Sequence, residues 1–167
     1  MGFNRRSRGM WEMRKHLDHK DLINTIRLEL RHPSEKETIW IIVEGVNDVK
    51  LFSKLIDGEN VEIKEPYGGV RTLCKVIETL HTESDRIIAI RDADFSRLGV
   101  NYTQLDVLFL TDYHDAEMMT LMSDITFQSI ISEHLNSYLP QYQSLRRDLL
   151  AKLKFLGGLR LFNEKNN

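Results

Sequence analysis

A chain of 167 residues with 41% hydrophobic content is long and apolar enough for one globular domain with a real core. A net charge of −2 excludes a globally basic nucleic-acid binder, although charge can be local, and Arg5, Arg6, Arg8, Arg14 and Lys15 crowd the start. No stretch approaches the ~20 apolar residues of a membrane helix, no apolar signal core follows the basic start, and the single cysteine gives neither a disulfide framework nor a zinc cluster, so a cytoplasmic protein is expected.

Residues 1–16 read as a solvated basic tail. Leu22, Ile23, Ile26 and Leu30 then recur with helical period, with Asp18 and Asp21 in the early turn, and Pro33 marks where that helix has ended. Ile39–Val43 is a nearly continuous apolar run, the pattern of a strand covered on both faces in a parallel sheet. Glu44-Gly45 breaks it. From Asn47 or Asp48 the spacing of Val49, Phe52, Leu55 and Ile56 predicts a second helix, closed by an Asp57-Gly58 turn. Val61 and Ile63 alternate with Glu62 and Lys64 as a short strand near the sheet edge. Pro66-Tyr67-Gly68-Gly69 opens a helix over Val70–Leu80, within which Cys74 falls among core positions.

Ile87–Ile90 is the next fully apolar strand, and Val107–Leu110 a further one ending in Thr111-Asp112. Asp115-Ala116-Glu117 leads into a short helix with Met118, Met119, Leu121 and Met122. After Asp124 the composition turns helical: Phe127, Ile130, Ile131 and Leu135 form one stripe and Pro140 interrupts. Leu145, Leu149, Leu150, Leu153 and Leu156 form a second stripe, with Gly157-Gly158 as a cap or turn. Both stripes and the methionines read as packing surfaces. Alternating β and α elements predict an α/β fold, a doubly wound parallel sheet of about four strands flanked by helices, over residues 17–123, with a helical extension over 124–167. Right-handed crossovers would deliver the strand-end acids to one edge.

Those acids are Glu44, Asp92, Asp94, Asp112, Asp115 and Glu117. Carboxylates brought close repel one another unless a cation compensates, and an oxygen-only set favours Mg²⁺ or Mn²⁺ over zinc. Asp92 and Asp94, one residue apart, can both reach a metal only where the chain has left the regular pleat; the plainer reading is that they cap a turn. Asp48 reads equally as a helix-start residue. His114, among the last acids, is either a base or ligand or a polar loop residue. Gly68 and Gly69 could bring backbone N–H groups to a phosphate, or simply make a tight turn.

The ordered segments IIVEGVNDVKLF, PYGG, RDADF and TDYHDAEMM, together spanning much of Thr38–Met122, resemble the TOPRIM domain of topoisomerases, primases and OLD-family nucleases. More specifically, they resemble the bacterial DUF4435 family. The resemblance implies a TOPRIM-like site in which Glu44 is the general acid/base or a metal ligand and Asp92 and Asp94 hold Mg²⁺. Asp115 and Glu117 would match the third acidic motif. It also implies association, in some members, with a separate ABC-type ATPase in anti-phage defence; this chain carries no G-x-x-x-x-G-K-[ST] motif of its own. Two departures matter: Ser96 stands where many TOPRIM domains place a third aspartate, and Val70-Arg71 follows the glycine pair where a lysine is common. Family members also commonly continue past the point where this chain stops, which reads as a shortened extension.

The leading expectation is a Mg²⁺-dependent endonuclease acting on DNA or RNA, in which Glu44 handles protons and Arg71 or Arg91 meets phosphate. The alternative is a non-catalytic TOPRIM-like binding or regulatory module. A homo-oligomer is open under either reading, and a haloacid-dehalogenase-type phosphotransferase using Asp92 as nucleophile lacks its usual motif context.

Overall fold

The computed structural model describes residues 19–56, 58–99, 105–134 and 142–166. The basic tail and the positions of Asp18, Asp57, Leu135 and Pro140 lie outside them. The chain divides into two compact units, residues 1–91 with 103–110, and residues 92–102 with 111–167. The division falls after residues 91 and 110.

The first unit is an α/β sandwich. Its elements are α1 (His19–Arg31), β1 (Ile39–Val43), α2 (Val46–Leu55), β2 (Val61–Lys64), α3 (Val70–Leu80), β3 (Ile87–Arg91) and β4 (Leu108–Leu110). All strands run parallel in the order β2-β1-β3-β4, so β2 does lie at an edge. Strand periodicity explains the layering: Trp40 and Ile42 point to one face, Ile41 and Val43 to the other. On the first face they pack with Ile23 and Ile26 of α1 and Leu73, Val76, Ile77 and Leu80 of α3. On the second they meet Phe52 of α2, flanked by Val49, Ile56 and Ile63. Each such fully buried aliphatic side chain contributes roughly 1.5–3 kcal/mol, which is why β1, apolar on both faces, sits at the centre. Cys74 packs against the first cluster, as expected for a core residue.

Two polar devices fix the entry to this core. The Arg86 guanidinium donates to the carbonyls of Leu30, Glu35 and Thr38, tying the end of α1 to the start of β1. Arg27 of α1 forms a forked pair with Glu83, just past α3.

The second unit holds the two loops 92–99 and 111–115 and the helices α4 (Ala116–Met122), α5 (Asp124–His134) and α6 (Tyr142–Asn166). Arg146 of α6 pairs with Asp124 at the start of α5 and lies 5.2 Å from the centre of the Phe127 ring. Gly157-Gly158 does not cap this last helix. α6 runs unbroken for 25 residues through both glycines, neither of which adopts a positive φ. The cost of about 1 kcal/mol per glycine is met by the Leu- and Arg-containing turns on either side, which favour helix. The leucine stripe also differs from expectation: Leu149, Leu153 and Leu156 are all exposed. Among the described residues no helix is long and apolar enough to cross a membrane.

Candidate functional site

In the first unit, β1 and β3 are neighbours with Val43 opposite Ile90, and β3 and β4 are neighbours with Arg91 opposite Leu110. The chain continues from these three strand ends into Glu44, Asp92 and Thr111-Asp112. Glu44 is half-buried and enters α2 through Gly45. Asp48 takes up a helix-start role: its carboxylate accepts the Gly45 N–H at 3.0 Å, satisfying a backbone donor the first turn cannot. Arg91 is 6% exposed, a charge set inside the fold, whereas Arg71, in the first turn of α3, is exposed.

The loop before α3 has the tight geometry of its glycines. Gly68 and Gly69 adopt φ of 129° and 68°, and a Cβ at Gly68 would lie 2.4 Å from Thr72 Oγ1. Only glycine fits there without displacement.

In the second unit the two acidic loops are laced together. The Ala93 N–H donates to Thr111 Oγ1 at 2.9 Å, and the Thr111 hydroxyl donates to the Tyr113 carbonyl at 2.8 Å. The Asp94 N–H donates to the His114 carbonyl at 2.7 Å, and Arg97 donates to the carbonyls of Thr111 and Asp112. Asp94 adopts φ 43°, the single positive φ outside glycine among the described residues. The chain has thus left the pleat, as a D-x-D ligand pair would require.

This lacing brings Asp94, His114 and Asp115 into a line. His114 Nδ1 lies 2.8 Å from Asp115 Oδ2, its Nε2 lies 3.7 Å from Asp94 Oδ1, and its ring meets Phe95 edge-on with centroids 5.0 Å apart. Arg160 of α6 approaches the same Asp94 oxygen at 3.9 Å and the Phe95 ring at 5.8 Å. Asp115 also caps α4, its Oδ1 accepting the Met118 N–H at 2.7 Å. Glu117, two residues further on, and Asp112 are exposed, and Ser96 is buried in a short turn.

The His114 ring thus turns one nitrogen toward each of the two carboxylates. Among the described residues no group of three or more His, Cys, Asp and Glu side chains is gathered as a bound ion would require. The side chains at the strand ends and loops that carry acids offer oxygen donors, the type a hard cation takes. The Asp94 carboxylate lies 3.7 Å from His114 Nε2 and 3.9 Å from the Arg160 guanidinium, both beyond hydrogen-bond length.

Thr111, Phe95, Arg97 and Arg160 are the residues that sequence reading missed. Thr111 had a signal in its place at the end of an apolar strand; Arg160, 66 residues after Asp94, had none. No protein-family model matches the chain, and comparison with curated proteins and with solved structures returned no match.

Proposed function

We propose that this protein is a divalent-cation-dependent phosphodiesterase acting on nucleic acid, with a TOPRIM-like acidic site built from Glu44, Asp92 and Asp94. The observation that carries the reading is the continuation of three parallel, adjacent strand ends into Glu44, Asp92 and Asp112. Catalytic acids in open α/β sheets are supplied from such ends.

Mg²⁺ or Mn²⁺, when bound, would neutralise charge on the scissile phosphate and lower the pKa of a water. Asp92 and Asp94 would hold it, with Asp115 and Glu117 as the further acids of the set. Glu44 would take and return the proton. Arg71 and the backbone N–H groups around Gly68 and Gly69 would receive the neighbouring phosphate, a helix start being suited to an anion. Wild-type protein should cleave plasmid DNA or structured RNA in Mn²⁺ or Mg²⁺, and Glu44→Gln and Asp92→Asn should each lower the rate by about 10²–10⁴-fold. Equal cleavage by all three proteins would remove the proposal.

A second reading is favoured by one observation: the His114 imidazole lies against Asp94 and Asp115, and the Arg160 guanidinium approaches the same Asp94 oxygen. On that reading the chain is a non-catalytic TOPRIM-like module that partners another protein, an ABC-type ATPase being the partner the resemblance implies. Calorimetry showing no heat of Mn²⁺ binding at millimolar concentration would decide for it.

A further inference from the structure

The 25-residue helix α6 carries an exposed seam that repeats with alternating steps of three and four residues: Asp148, Ala151, Phe155, Gly158, Phe162 and Lys165. Steps of three and four keep residues on one side of a helix, the spacing of a coiled-coil seam. Phe155 is 70% exposed and Phe162 66%, values far outside the norm for a side chain that rings a core. The seam is not uniformly bulky. Large Phe155 and Phe162 alternate with small Ala151 and Gly158, and a hollow of about 460 Å³ lies along it, lined by Ala151, Lys154, Phe155, Gly158 and Leu159.

We infer that this seam is the contact surface for a second copy of the chain, the two α6 helices packing antiparallel about a twofold axis between residues 156 and 157. The seam is complementary to itself in that register and direction. Phe155 of each copy falls over Gly158 of the other, and Phe162 over Ala151, so each ring enters a gap left by a missing side chain. Asp148 of each copy falls opposite Lys165 of the other, closing both ends of the seam with opposite charges. Large residues facing small ones and unlike charges at the rim are what a specific isologous contact needs. In a parallel pairing each residue would face its own counterpart, phenylalanine against phenylalanine and lysine against lysine.

The area agrees with a modest dimer. Two phenylalanines, Leu159 and the flanking stems along roughly five turns offer on the order of 500–600 Å² per copy, below the ~800 Å² that each partner gives to a standard interface. Association should therefore depend on concentration. A lipid surface fits less well, because an interfacial helix segregates a charged from an apolar face, and here Lys152, Lys154 and Arg160 are dispersed around the helix among the apolar side chains.

Sedimentation equilibrium on the full chain tests this. Wild-type protein should move from monomer to dimer mass across the micromolar range. Phe155→Glu should remain monomeric with unchanged helical circular dichroism. Asp148→Lys and Lys165→Asp should each weaken association at least tenfold, and the double variant should restore it. Monomer mass at every wild-type concentration would overturn the proposal. So would a dimer indifferent to Phe155→Glu, a charge swap that fails to rescue, or a wild-type chain that stays monomeric while its α6 binds anionic vesicles.

Discussion

Asp94 holds a left-handed backbone, and among residues with a side chain only Asn and Asp adopt that region at little cost. Position 94 thus selects aspartate twice over, once for its carboxylate and once for its φ of 43°. The two demands can be separated. Asp94→Val should destabilise the protein by about 1–3 kcal/mol, whereas Asp94→Gly, relieved of the Cβ, should be tolerated. Urea unfolding gives both values; an equal loss in the two variants would show that the contacts to His114 and Arg160, and not the backbone, decide stability there. Thr111 works on the same scale by different means, one hydroxyl accepting from Ala93 and donating to Tyr113 and so joining the two acidic loops.

Among the helices described, α3 carries the largest share of the core, with Leu73, Val76, Ile77 and Leu80 all fully buried. Leu73→Ala should cost about 2–5 kcal/mol, the range for a buried leucine whose cavity cannot collapse. Leu149→Ala, on the exposed side of α6, should stay within about 0.5–1 kcal/mol in dilute protein. Thermal or denaturant melts of the two variants make the comparison. The contrast also shows what was legible beforehand. Strands β1, β2 and β3 and helix α3 could be read almost to the residue, because periods of 2 and 3.6 are properties of local sequence and the glycines and proline bounded them. The same leucine periodicity in α6 did not distinguish a buried stripe from an exposed one, since burial depends on what the rest of the fold places against it. Gly157-Gly158 misled because a glycine's cost is small beside the helical preference of long flanking segments. At the site, the acids and His114 could be named from sequence, but their arrangement could not. That the imidazole turns one nitrogen toward each of Asp94 and Asp115 follows from Asp94 bonding the His114 carbonyl through its own N–H, a contact across 20 residues.

At the scale of the whole molecule, one surface pair links pH to stability. Glu83 receives the forked hydrogen bonds of Arg27, and these, followed by the charge attraction, hold its carboxyl below the usual range against the opposing effect of desolvation. A depressed carboxyl favours folding at pH above its unfolded value, and that contribution is lost as pH falls through the depressed folded value. The melting temperature of wild type should therefore exceed that of Glu83→Gln at neutral pH, and the gap should close below the ordinary carboxylate range. Both partners are about one-third exposed, so 1 M salt should shrink the gap as well. A gap unaffected by acid would mean that Glu83 acts through packing.

The parallel sheet has a further consequence for how the chain reaches this state. Ile39 pairs with Val61, and Trp40 with Ile87, so the central strand has no hairpin partner and is separated from each neighbour in sequence by at least one helix. Sheets closed by such distant pairings assemble slowly. Until then Ile39–Val43, a five-residue segment without charge, proline or glycine, keeps both of its hydrogen-bonding edges open, the composition that lets strands from different molecules stack. Yield on refolding should accordingly fall as protein concentration rises, with the centre of the native sheet as the point where chains first adhere.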